Sequence, residues 1–486
     1  MSAKSSSPGL AAASWVRSPR AFIAPLALAQ FICSFAGSNM NVMINDISRD
    51  LHTDVKGVQT TITLFLLIMA VLMIPCSKLT DRWGRKRCFI GGLSLYGIGA
   101  VLSAVAPNLG VLILGYSVFQ GVGTAFLIPP VYILTTMAFT SLQSRAKAFG
   151  VISGMGGIGA AAGPLIGGAI TSGISWRGAF VFQALIVATI VLLGRRVVDP
   201  VAPEPDRPFD VVGAILSAVG MFFLVFGIVQ AGNNNTLLII SLAIGVALLA
   251  GFFFYIRWRE RTDREPLLST DLFKNRTSNL GLATQNLQWL LLIGTSFVVS
   301  VFLQTERHYS AIKTGVIFTA ATVGILASSL AAQRWAKKYL QKTLIATGFG
   351  VTVAGIGLLL GLVKTSSSSA WAFAPGLLLI GLGVGGMLTP SVNLVQSAFP
   401  EEEQGEISGL SRSASNLGSS IGTAIAGTIL VSNLVSGNGT YVAAMIVLAA
   451  VALAGVGISL LLPANPLASA PEGAVPSATQ PKARPD

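Results

Sequence analysis

Of the 486 residues 52% are hydrophobic and 10% charged, and mean hydropathy is +0.72. So little polar surface cannot cover a water-soluble globule, which leaves a polytopic membrane protein. The net charge of +13 belongs to loops on one side of the membrane, where anionic lipid and insertion account for it, and it argues against a nucleic-acid partner.

Residues 1–20 form a Ser- and Ala-rich tail with Lys4, Arg17 and Arg20. An apolar run to Asn45 follows, too long for a signal-peptide core, and reads as a first spanning helix. Further spans fall near 58–77, 88–106, 109–136, 146–172, 176–194, 210–230, 236–256, 279–303, 313–333, 342–363, 371–397, 406–433 and 440–462, making fourteen. The Pro- and Ala-rich segment 463–486 should be disordered. With the N-terminus inside, 26 of the 32 Lys and Arg fall on the cytoplasmic side, so both termini are expected there. Cys33, Cys76 and Cys88 lie in or beside spans without metal-ligand spacing and read as packing residues; neither a metal nor a cofactor is expected.

Between the second and third spans lies SKLTDRWGRKR, Ser77 to Arg87, with Asp81 among Lys78, Arg82, Arg85, Lys86 and Arg87. It reads as a cytoplasmic loop in which Gly84 allows a tight turn and Asp81 faces the positive dipole end of the next helix. The simplest role is a topology anchor. Arg82-Trp83-Gly84-Arg85-Lys86 is echoed by Arg334-Trp335-Ala336-Lys337-Lys338, eight helices later. This predicts two six-helix bundles, 21–196 and 279–462, with two helices, 210–256, inserted between them, an organisation used for alternating access. The fifth span contains GMGGIGAAAGPLIGG, where Gly159, Gly163 and Gly167 lie four apart on one face and Gly168 follows. Such a face lets a neighbouring helix approach closely, and Pro164 bends the span.

The chain resembles the major facilitator superfamily in its fourteen-helix drug-exporter branch. SKLTDRWGRKR is similar to that family's loop motif, and GAAAGPLIGG (Gly159 to Gly168) to its fifth-helix antiporter motif; Phe119 to Gly123, Trp176-Arg177, Arg264 to Arg276, Gly381 to Pro390 and Gly405 to Gly422 add weaker matches. The resemblance implies an all-α integral membrane fold and a transporter, not an enzyme. It also implies a conformational switch at Asp81, Arg82, Gly84, Arg85, Lys86 and the fifth-helix Gly159, Gly163, Pro164, Gly167 and Gly168. Two positions depart from the family pattern together: Ala36 stands where an Asp is usual, and Ser117 where an Arg is usual.

All 19 acidic residues fall in loops, tails or helix ends. Proton antiport, which the resemblance implies, is therefore weakened, because intramembrane ionisable groups are its usual carriers. The nearest candidates are Asp46, Glu306 and His308 at the outer mouth, with His52 in the matching loop of the first half. Within the spans the polar side chains are uncharged. Gln30, Ser34, Ser38, Asn41 and Asn45 form one stripe on the first helix at about 100° per residue. Tyr116, Gln120, Gln183, Gln285, Gln288, Trp289, Asn393, Gln396 and Asn416 join it as substrate-path candidates, although hydrogen bonding between helices explains any one of them as well. The expected function is export of a small amphipathic or neutral organic molecule by a monomer in the plasma (inner) membrane. The alternatives are a dedicated transporter of one metabolite or lipid-like molecule, and a transport-fold receptor or scaffold.

Overall fold

The computed structural model describes residues 18–139, 142–199, 202–206, 208–230, 234–335, 339–364, 369–399, 404–431 and 439–463. Residues 1–17 and 464–486 of the tails and the echo's Ala336, Lys337 and Lys338 lie outside them. Fourteen long helices carry the fold: α1 Pro19–Asn39, α2 Val55–Trp83, α3 Arg85–Ala104, α4 Leu109–Ala138, α5 Leu142–Gly173, α6 Trp176–Gly194, α7 Val211–Gln230, α8 Asn235–Arg261, α9 Arg276–Glu306, α10 Ala311–Trp335, α11 Gln341–Lys364, α12 Phe373–Gln396, α13 Gln404–Val431 and α14 Gly439–Leu460. Thirteen are long and apolar enough among the described residues to cross a membrane. The remaining one, α5, has 32 residues and packs between α1 and α10.

Helix starts are written in the sequence. The side chains of Asp54, Asn108, Ser175, Asn234 and Asn275 accept hydrogen bonds from backbone N–H groups in the first turns of α2, α4, α6, α8 and α9, satisfying donors that have no partner within the helix.

Two expectations about boundaries are corrected. The first helix does not run to Asn45: α1 stops at Asn39, a 3₁₀ turn covers Met40–Val42, and a short helix Ile44–Asp50 follows. The supposed loop 77–87 is also nearly all helix, because α2 continues to Trp83 and α3 begins at Arg85. Gly84 alone breaks the path, at φ +95°, a conformation that disfavours any residue with a Cβ.

Two seams join α1–α6 to α9–α14. Along the first, α2 lies against α13, with hydrogen bonds from Ser420 Oγ to the Thr63 carbonyl (3.1 Å) and from Ser413 Oγ to the Ala70 carbonyl (2.6 Å). The second brings the backbones of α5 and α10 together: a Cβ on Gly168 would overlap the Ala311 carbonyl, and one on Gly315 the Pro164 carbonyl. The inserted pair, α7 and α8, packs on itself and rests on α2 and α13 through α7.

The connection from α8 to α9 is folded tightly. Leu267, Leu268 and Leu272 are buried in a cluster with Ile256 and Ile407. Leu267 N donates to Asp210 (3.1 Å), Thr270 N to Glu260 (2.6 Å) and Ser269 N to Glu406 (3.1 Å).

Candidate functional site

At the end of the bundle that holds Asp81, burial and charge build a linked set of ion pairs. Asp81 accepts from Arg85 Nη2 at 2.8 Å, one turn away. The expected role of Asp81 at the start of α3 belongs instead to Asp199: its Oδ2 accepts from the backbone N–H of Arg85 (2.7 Å) and Lys86 (3.2 Å). A carboxylate on two free N–H donors is where the helix dipole favours negative charge. Asp81 lies in the last turn of α2 and pairs with the guanidinium of Arg85. Lys86 Nζ donates to the Arg195 carbonyl at 2.9 Å, Arg82 lies in the last turn of α2, and a Cβ on Gly84 would sit 3.1 Å from Pro203. These contacts stay within α1–α6 and the segment after it. Lys78 reaches across, pairing with Glu406 on α13 at 2.7 Å and with Glu265 of the α8–α9 connection at 3.2 Å.

The glycine face of α5 serves two neighbours. Gly159, Gly163 and Gly167 lie against Phe31, Ser38 and Asn39 of α1, whereas Gly168 and the carbonyl of Pro164 meet α10. A close helix crossing was legible in the spacing; that the motif looks both ways was not.

Ala36 and Ser117 are each joined to a neighbour by a hydroxyl-to-backbone bond. Tyr116 donates to the Ala36 carbonyl at 2.9 Å and Ser117 to the Thr61 carbonyl at 2.7 Å. Both hydroxyls lie on a π-helical stretch of α4, Ile113–Gln120, whose wider turn re-aims its side chains.

The polar stripe divides. Gln30 accepts from Tyr132 at 3.2 Å and donates to Ser34 at 3.4 Å; Ser38 turns back to its own helix. Because α1 unwinds after Asn39, Asn41 and Asn45 leave that face and meet α9: Gln304 Nε2 donates to the Asn41 carbonyl (2.7 Å), and Asn45 Nδ2 donates to the Gln304 carbonyl (2.7 Å). Gln183 accepts from Tyr96, Gln285 from Ser411, and Gln288 donates to the Val384 carbonyl. Both amide atoms of Gln120 and Nε2 of Gln183 and Gln285 are buried without partners among the described residues. Trp289, Gln396 and Asn416 are half-buried, and Asn393 is exposed, so the structure does not bring that residue into the interior set.

Asp46, Glu306 and His308 share the opposite end. The short helix of Asp46 packs beside Phe302–Glu306. Partial burial raises the carboxyl of Asp46 above its ordinary value, with nearby Arg49 offsetting part of the rise. Glu306 accepts from Tyr441 at 3.3 Å. His308 is exposed and, like His52, adopts a positive φ, 52° against 50°. Nearby, hydrogen bonds from Arg177 and Trp176 hold the carboxyl of Asp50 below its usual value.

Sequence reasoning missed Arg412, Tyr132, Gln304, Asp199 and the partners of Lys78. Arg412 was detectable: it lies inside an apolar span, but positive-inside counting assigns it to the adjacent loop. The others needed tertiary contacts.

Among the described residues no cluster of His, Cys, Asp and Glu could hold a metal. The profile of the Major Facilitator Superfamily matches residues 26–263 and 281–484. Relatives include the puromycin resistance protein pur8 of Streptomyces alboniger, 30% identical over 82% of this chain and 80% of that one. The multidrug resistance protein Stp of Mycobacterium tuberculosis (strain CDC 1551 / Oshkosh) is 29% identical over 80% and 72%. The multidrug efflux pump LfrA of Mycolicibacterium smegmatis is 27% identical over 84% and 80%. With this architecture and that match along most of its length, the chain belongs to the Major Facilitator Superfamily and is a multi-pass membrane transporter, not an enzyme.

Proposed function

We propose that the protein exports small organic molecules of the drug type across the plasma membrane by alternating access, as a monomer with both termini in the cytoplasm. The observation that carries this reading is similarity along about four-fifths of the chain to resistance and efflux proteins. In this reading residues 21–196 and 279–462 move against each other. Asp81, Arg82, Gly84, Arg85 and Lys86 form the cytoplasmic side of the switch, and Gly159, Gly163, Pro164, Gly167 and Gly168 the close helix crossings. The interior set from Gln30 to Asn416 faces the substrate path.

Coupling to protons is supported by the groups at the mouth, Asp46, Glu306 and His308, which water reaches directly. The uncharged side chains of Ala36 and Ser117 speak against a carboxylate carrier at mid-membrane. Everted vesicles containing the protein, incubated with a panel that includes puromycin, with and without a protonophore, provide the test. Energy-dependent accumulation of panel members is the expected outcome. No accumulation of any of them, at normal protein abundance, would overturn the reading.

A further inference from the structure

Among the described residues, Arg412 is a charge within a span that the switch does not use. Arg412 lies eight residues into α13, roughly 12 Å along a helix rising 1.5 Å per residue. Its neighbours Ser411 and Ser413 are buried against Gln285 and the Ala70 carbonyl. The Arg412 side chain turns the other way, toward α1 and α4. Its guanidinium carbon stands 4.6 Å from the ring centre of Tyr132, and the thiol of Cys33 on α1 is within electrostatic reach. Tyr132 is fixed in turn by its bond to Gln30. Arg412 thus projects from one set of six helices onto a wall built by the other.

Its partners are what distinguish it. Arg85 pairs with Asp81 and Asp199, Arg177 with Asp50 and Arg259 with Asp210. The guanidinium of Arg412 has no carboxylate within ion-pair distance and no hydrogen-bond acceptor among the described residues; its one contact of this kind is the Tyr132 ring. It is enclosed among helices, yet it keeps part of its surface accessible. Among the described residues no carboxylate lies in mid-span: each sits at a helix end or in a connection. A charge inside the membrane is costly without compensation. A guanidinium is also a planar fork of donors shaped for a carboxylate, sulfonate or phosphate.

We propose that Arg412 binds the anionic group of an amphipathic organic anion, whose flat apolar body lies against Tyr132. The proposal rests on the transport reading, since it takes the space between the two sets of helices as the path. The same anionic chemistry could be offered by a solute or by the head of an anionic lipid.

The test separates these possibilities with three probes of one body: 1-naphthaleneacetate, 1-naphthaleneacetamide and 1-(2-aminoethyl)naphthalene. Binding to the full-length protein in phosphatidylcholine nanodiscs is measured by quenching of tryptophan fluorescence, without any gradient, so that failed transport and failed recognition are read apart. The carboxylate probe should bind at least ten-fold more tightly than the amide. Arg412→Gln should erase that preference and leave amide binding within two-fold; Arg412→Lys should keep part of it. Because Arg412→Lys retains the charge, it reports even if Arg412→Gln proves unstable. Repeating the measurement with one-fifth phosphatidylglycerol tells the sources apart: competition identifies lipid as the occupant, and unchanged binding identifies a solute. A wild type without preference for the carboxylate, a preference untouched by Arg412→Gln, or an equal loss for all three probes would overturn the proposal, the last by making Arg412 a strut between helices.

Discussion

The two seams between α1–α6 and α9–α14 are made of opposite materials. Where α2 meets α13, contact is through side chains: serine hydroxyls on backbone carbonyls, the amide of Gln59 on the Ala424 carbonyl at 3.5 Å, and Lys78 on Glu406. Where α5 meets α10, contact is chiefly glycine against backbone, at Gly168 and Gly315, with one side-chain bond, from the Ile312 N–H to Ser172 Oγ at 3.1 Å. A seam of hydrogen bonds is weakened by taking atoms away and can be remade after sliding. A seam of glycines is destroyed by adding atoms, because no rotamer relieves an overlap with a carbonyl.

The largest effect is therefore expected at the glycine seam. Gly315→Leu should lower transport ~100-fold or more in a protein that still inserts, and Gly163→Leu, which strikes Ser38 within the same six helices, should also inactivate. Gly154→Ala and Gly157→Ala, where a Cβ meets nothing within 4 Å, are the matched controls. Turnover near wild type in Gly315→Leu, assayed in vesicles, would remove the distinction between the seams.

Next comes the side-chain seam. Lys78→Met leaves Glu406 and Glu265 facing each other without their cation, and transport should slow by about 3–10-fold, as expected for a partly exposed pair. The exchange Lys78→Glu with Glu406→Lys should recover part of the loss. A double variant no better than either single change would show that the pair only anchors the fold.

At the start of α3 the two aspartates should separate. Asp199→Asn removes a charge-assisted cap and should cost about 1–2 kcal/mol, seen as a lower Tm. Asp81→Asn should impair transport at near-normal abundance. Equal loss of abundance and activity for Asp81→Asn would make that residue a folding anchor.

The smallest effect is at Asp46. Its carboxyl is raised, so the folded protein binds this proton more readily than the unfolded chain, and stability is lost as pH rises through that window. Asp46→Asn should therefore melt higher than wild type at neutral pH, and the gap should close as pH falls toward 3.8, the ordinary value of the group. A gap independent of pH would refute the assignment.

The pattern of apolar runs gave away the helices, since each span needs its own stretch of lipid-compatible residues. The motif at Ser77 to Arg87 pointed to the right place for ion pairs. It could not reveal that Asp199, more than a hundred residues on, would cap α3, because such a cap depends on where the chain returns. The stripe on α1 failed for a local reason: an extrapolated helical period cannot foresee the 3₁₀ turn at Met40–Val42, which swings Asn41 and Asn45 toward Gln304. Arg412 escaped because charge was counted by side of the membrane and not by depth.

The α8–α9 connection has no slack. Its backbone is tied to Asp210 at the start of α7, to Glu260 on α8 and to Glu406 on α13, and its Glu265 holds Lys78 on α2. A stretch that looks like a tether between two moving bodies is thus a rigid bracket, and it travels with whatever it is bolted to. If the two sets of helices rock, the bracket must stay with α13 and the inserted pair and release Lys78, or stay with α2 and release Glu406. Because Lys78–Glu406 joins α2 to α13 and parts either way, the hinge is then set by whether Lys78–Glu265 or the Ser269 N–H bond to Glu406 yields, and the length of the connection has no say in it.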